Sequence, residues 1–156
     1  MLFYYIQCLA PGSSVLSIDP DAPAGNLVVM PKAVGDQMQL WQAMMLFGSN
    51  APLGIALVNS QSGLAASASA GNGPVSQVAI ANADTASFWD FKAGTYRGQS
   101  FTVIRLLNRA TQNLTGASNV TVKASASVQG WSGGPPVFTQ TWVFVPADFD
   151  ALAQGL

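Results

Sequence analysis

The chain carries six basic and seven acidic side chains and no histidine, and every acid is an aspartate. Without histidine or glutamate, the Ser-His-Asp and Cys-His nucleophile arrangements and the common zinc sites cannot be assembled. Paired carboxylates are the catalytic device left, of the kind glycoside hydrolysis uses. Both close pairs, Asp19/Asp21 and Asp148/Asp150, lie beside Pro20, Ala22 and Pro146 in settings that read as turns. The sequence therefore implies no enzyme, no metal and no cofactor. What remains is binding, of a sugar or of another protein. A sugar ring offers one apolar face and a fringe of hydroxyls, which proteins meet with an aromatic platform and planar donors and acceptors. Trp131 with Gln129 is an aromatic with an amide, and Asp19 with Asn26 a carboxylate with an amide.

These residues must be held by a scaffold, and the scaffold announces itself as a repeat. Gln39-Leu40-Trp41, Ser87-Phe88-Trp89 and Gln140-Thr141-Trp142 recur at intervals of 48 and 53 residues. About thirty residues before each lies a strand opening, Tyr5-Ile6-Gln7, Leu57-Val58-Asn59 and Leu106-Leu107-Asn108. A small-residue turn follows each opening: Ala10 to Ser14, Ser60 to Gly63, and Arg109 to Asn113. A second short strand comes next, at Val15 to Ile18, Leu64 to Ser67 and Leu114-Thr115. Self-similarity at a fixed period is the mark of a repeated supersecondary unit. Hydrophobic residues make up 49% of 156 and charged ones 8%, a composition that collapses rather than staying disordered. Abundant Ser, Thr, Val, Ala, Gly and Asn favour strands and turns over helices. The alternation from Val120 to Val128 predicts a half-buried strand, and Val75 to Ile80 a shorter one.

A unit of about fifty residues cannot bury its apolar face alone, so three should close around a common axis. The expected architecture is all-β: one domain over 1–156, with three pseudo-repeats of four strands at about 1–48, 49–97 and 98–150. Closure removes free sheet edges, which a chain this apolar could not leave open without aggregating. The three tryptophans, with Gln39 and Gln140, are read as structural: rings in the core, amides bonded to backbone.

The Gln-x-Trp motif once per repeat, with Ser87 in place of the middle glutamine, and openings such as Leu57-Val58-Asn59-Ser60-Gln61-Ser62-Gly63-Leu64-Ala65 resemble the ricin-type β-trefoil family. That resemblance implies a β-trefoil and a non-catalytic carbohydrate-binding function, that of a lectin. It also implies where binding residues lie: an aspartate at the end of the second strand of a repeat, a stacking aromatic on the third, and amides near both. Trp131, 11 residues before Trp142, stands close to the aromatic place, with Gln129 beside it. The third repeat has no aspartate, because Thr115, Gly116 and Ala117 fill that stretch. Asp19 takes the aspartate place of the first repeat if Asp19 and Ser67, each 22 residues before a tryptophan, are aligned without gaps. Asn26 opens that repeat's third strand, which lacks an aromatic. The second repeat, with Ser67 and Gln77, is the least equipped.

The partner expected on this reading is a glycan or glycoconjugate. Scattered cations make no basic stripe for nucleic acid, and low charge leaves the chain open to homodimerisation. The other reading is a protein-interaction trefoil such as a protease inhibitor, with Ser69 to Val75, Gly94 to Ser100 and Ser132 to Val137 as contact loops. Cys8, the one cysteine, is read as buried in the first strand. The apolar start Met1 to Ile6 lacks a basic flank and is short for a signal peptide or membrane span, so the expectation is a cytoplasmic or non-classically secreted protein.

Overall fold

The computed structural model describes residues 2–68, 72–107, 109–131 and 137–147. Among them the chain forms thirteen strands. In the first third these are β1 (Tyr4–Cys8), β2 (Val15–Ser17), β3 (Val28–Met30) and β4 (Trp41–Phe47). The second contributes β5 (Pro52–Asn59), β6 (Ala65–Ala68), β7 (Gly73–Val78) and β8 (Trp89–Tyr96). The last contributes β9 (Gln99–Leu106), β10 (Arg109–Thr115), a two-residue β11 (Ala124–Ser125), β12 (Ser127–Gly130) and β13 (Trp142–Pro146).

Six of these strands close on themselves. β13 pairs with β1, β1 with β4, β4 with β5, β5 with β8, β8 with β9, and β9 with β13, all antiparallel. Closure spends every barrel edge. The remaining hairpins, β2/β3, β6/β7 and β10/β12, form a cap. Three backbone bonds tie the cap in a ring: Leu27 N–H donates to the Val75 carbonyl (2.7 Å), Val75 to Ala126 (3.3 Å) and Ala126 back to Leu27 (3.1 Å). This six-stranded barrel with a triangular cap of hairpins is a β-trefoil.

The tryptophans obey the same threefold rule. Trp41, Trp89 and Trp142 are at most 1% exposed. Their indole N–H groups donate to the carbonyls of Leu16 (2.9 Å), Ala66 (3.1 Å) and Leu114 (3.0 Å), each on the second strand of its own repeat. Each ring thus satisfies its one polar group while filling the core with Ile6, Leu27, Leu57, Ile104 and Val128. The glutamines behave as expected. Gln39 Nε2 donates to the Pro31 carbonyl (3.0 Å) while Oε1 accepts from Ala33 N–H (2.7 Å), and Gln140 Nε2 reaches the Gly130 carbonyl at 3.4 Å. In the middle repeat the Ser87 hydroxyl instead donates to Ser67 Oγ at 3.2 Å. Cys8 is fully buried, and burial pushes its thiol pKa up.

Several local expectations are corrected. The strand openings align as Cys8, Asn59 and Leu106, the residues paired with Trp142, Trp41 and Trp89, not as Gln7, Asn59 and Asn108; Asn108 lies outside the described residues. Leu106-Leu107 offers two phases, and the core takes Leu106 and leaves Leu107 41% exposed. Arg109 to Asn113 is strand rather than turn. The Val120–Val128 alternation is strand only from Ala124 on, split into β11 and the start of β12: Asn119 turns at φ 55 with its N–H on the Pro11 carbonyl, and Val122 is 71% exposed. Gly94 to Ser100 is not a loop but the tip of the β8/β9 hairpin, closed by Arg97 and Gly98 at φ 50 and 80.

Candidate functional site

The cap hairpins position the proposed binding residues, in two places rather than one. In the first repeat, β2 ends at Ser17, paired with Val28. Continuing that register puts Asp19 opposite Asn26 at the base of the hairpin loop. Asp19 Oδ1 accepts the Asp21 N–H (3.0 Å), the local bond that aspartate favours in turns. The same oxygen takes Lys123 Nζ at 2.8 Å, and Lys123 also holds Asp21 Oδ2 at 2.7 Å. The Lys123 hydrogen bond, aided by the Asp21 amide, holds the Asp19 carboxyl below the usual carboxylate range, and the two carboxylates raise Lys123 in turn. Asp19 and Asp21, the pair considered as acid and base, are thus clamped by a cation from the third repeat. From the second repeat, Gln77 Nε2 donates to the Pro23 carbonyl of the same loop at 3.2 Å. Asn26 is exposed beside it. Asp148 and Asp150 lie outside the described residues.

The ungapped alignment of Asp19 with Ser67 is off by two. Ser17 pairs with Val28, Ser67 with Ser76 and Thr115 with Ser127, so Ser67 is the counterpart of Ser17. Asp19 corresponds to position 69, outside the described residues, and to Ala117, which has no carboxylate.

In the third repeat, Gln129 and Trp131 are at the opposite end of their hairpin from its loop, where Gln129 pairs with Asn113 and Gly130 with Gln112. Gln129 is exposed, with its amide donating to Ser127 Oγ at 2.9 Å. It lines a cleft of about 370 Å³ between the second and third repeats, with Asn72, Pro74, Ser125 and Ser127. Gln112 Nε2 donates to Asn72 Oδ1 (3.1 Å), and Gln112 Oε1 is buried with no hydrogen-bond partner among the described residues. Amides and hydroxyls face this cleft, and no charged side chain lines it.

Trp131, half-buried, lies against the outer face of the β8/β9 hairpin over Lys92, Gly94, Phe101 and Val103 around a slot of about 200 Å³. Its indole N–H is buried without a partner among the described residues, so only the exposed part of the ring could stack against a ligand. Trp131 is thus partly packing and partly surface, and the structure does not bring it or Gln129 into contact with Asp19 or Asn26.

Asn72, Gln112, Ser127 and Lys123 were not singled out from the sequence. The sequence places Gln112 in a segment that reads as a turn and Asn72 in a contact loop, and no one-dimensional signal couples residues 40 apart. Among the described residues no group of three or more His, Cys, Asp or Glu side chains is placed to hold a metal ion.

No protein-family model matches the sequence. No curated protein is similar to it in sequence. Solved structures are similar in fold. A designed threefold-symmetric protein, ThreeFoil, superposes with a TM-score of 0.68 at 18% identity, over 91% of this chain and 97% of that one. The C-terminal half of an earthworm R-type lectin, in complex with GalNAc, superposes at 0.60 with 16% identity, over 94% and 99%. The cytolethal distending toxin of Haemophilus ducreyi superposes at 0.66 with 18% identity, over 92% and 83%. The chain has the β-trefoil fold, the fold that the resemblance in the sequence implies. Among the described residues no helix is long and apolar enough to cross a membrane.

Proposed function

We propose that this protein is a non-catalytic carbohydrate-binding trefoil, a lectin, that recognises neutral sugars through the hydroxyl fringe. The observation that carries the reading is the cleft between the second and third repeats, which sets the polar side chains of Asn72, Ser125, Ser127 and Gln129 among Gly73, Pro74 and Ala126 with no charged side chain. Planar amides exchange hydrogen bonds with vicinal hydroxyls without the desolvation cost of an ion. Gln129 donates and accepts at the rim, and Trp131, two residues on and half-buried, offers the exposed part of its ring to an apolar sugar face. Asp19 with Asn26 forms a second, separate site, where Asp19 Oδ2, unbonded among the described residues, accepts from a hydroxyl. Similarity in fold to an earthworm lectin in complex with GalNAc and to a Polyporus squamosus lectin bound to a Neu5Aca2-6Galb1-4GlcNAc epitope supports a carbohydrate as the ligand.

Each neutral hydrogen bond contributes about 1 kcal/mol net, so four give a site with Kd of roughly 1 mM. Useful avidity then requires both sites or a homodimer presenting each twice. The test is a glycan array probed at high protein density, followed by NMR titration of the best neutral glycan. Gln129→Ala should weaken binding at the cleft about fivefold or more, and Asp19→Ala should do so at the first hairpin, each with thermal stability retained. A folded protein that binds no array glycan above background, or binding indifferent to both substitutions, overturns the reading.

A further inference from the structure

The pseudo-symmetry is broken at the open end of the barrel, and the break creates a pocket. Two residues after each core tryptophan the chain points a side chain into the barrel mouth: Ala43, Phe91 and Phe144. Phe91 and Phe144 stand edge to face with centroids 5.2 Å apart, and Tyr4 adds a second edge-to-face contact to Phe144 at 5.9 Å. In the first repeat the third ring of this set is replaced by a methyl group. Tyr4, Ala43, Phe91 and Phe144 therefore enclose a pocket of about 270 Å³. Phe91 and Phe144 are half-buried and rest on the core, so the pocket has a rigid floor, while Ala43 is exposed and leaves it open to solvent.

We propose that this mouth binds a small, uncharged aromatic molecule, its ring taking the place against Phe91 and Phe144 that a phenylalanine at position 43 would take. Size fits: apolar cavities of about 150 Å³ already admit benzene in another protein. Geometry fits, because aromatic rings prefer the offset and edge-to-face contacts that Phe144 already makes on both sides. Chemistry selects a neutral ligand. Among the described residues neither this pocket nor the adjoining cleft of about 610 Å³ is lined by a charged side chain, so an ion would give up part of its hydration without gaining a partner. Thr95, Ser100 and Thr102 in that cleft offer hydroxyls to one polar substituent. The pocket shares no lining residue with the cleft at Gln129 or with the Asp19 hairpin, so the proposal does not depend on sugar binding.

The test is titration with phenol, which is uncharged at neutral pH, followed by NMR shifts of the intact chain. Phenol should bind saturably, with the largest shifts at Tyr4, Ala43, Phe91 and Phe144. Ala43→Phe should weaken it by about tenfold or more while leaving the melting temperature equal or higher, since the new ring completes the set. Ala43→Leu, which fills less of the pocket, should show a smaller loss and covers the case in which the phenylalanine variant fails to fold. Benzoate should bind about tenfold more weakly than phenol. No saturable binding to the wild type, or affinity unchanged in both variants, overturns the proposal. So does benzoate binding as well as phenol. A concentration-dependent dimer that shifts the same four residues without phenol would assign the mouth to a second copy and equally overturn it.

Discussion

Replacing each core tryptophan in turn by phenylalanine tests the threefold account quantitatively. Trp41, Trp89 and Trp142 donate at 2.9, 3.1 and 3.0 Å to equivalent carbonyls and are no more than 1% exposed. Phenylalanine keeps a ring but loses the donor. The carbonyl of Leu16, Ala66 or Leu114 is then buried without that partner, at about 1–3 kcal/mol. The smaller ring also leaves a void worth about 1 kcal/mol more. The total, about 2–4 kcal/mol per variant, corresponds to a fall in melting temperature of roughly 4–16 °C for a domain of this size. Urea unfolding followed by circular dichroism measures it, with an unchanged slope confirming that folding remains two-state. The three costs should agree within a factor of about two. One variant costing under about 0.5 kcal/mol, with the other two as calculated, would refute the equivalence of the repeats.

Two further outcomes follow from local geometry. A Cβ added at Gly54 would lie 2.7 Å from Phe88 Cβ, near its backbone and unable to swing away, so Gly54→Ala should destabilise by about 2 kcal/mol or more in the same unfolding assay. Lys123→Ala should let the Asp19 pKa rise toward the ordinary carboxylate value, as measured by carboxyl NMR titration. A carboxyl held low in the folded state stabilises above its unfolded pKa and ceases to do so as pH falls through the folded value. The wild type should therefore lose stability relative to Lys123→Ala below about pH 4, and an identical acid dependence in both proteins would contradict the clamp.

The architecture was legible because it is written in core residues. A tryptophan recurring at nearly even spacing can be buried in each repeat only if the repeats surround one centre, and a glutamine two residues before it can satisfy backbone groups locally. Register was less legible. Leu106-Leu107 and the run from Val120 to Val128 each permit two phases, and only the packing against Trp89 and the pull of the loop toward Pro11, β3 and Asp19 choose between them.

By itself the sequence determined the class of fold, the structural roles of Trp41, Trp89, Trp142, Gln39 and Gln140, and the inability of the common histidine- and glutamate-based chemistries to operate. Tertiary structure alone decided which polar groups share a cleft. Asn72, Gln112 and Gln129 meet because β12 pairs with β7 across a repeat boundary, and Lys123 reaches Asp19 over more than a hundred residues of chain. The difference is physical. Burial of apolar surface follows a period that a one-dimensional pattern carries, whereas a hydrogen bond or ion pair depends on distance and angle, which no spacing along the chain specifies.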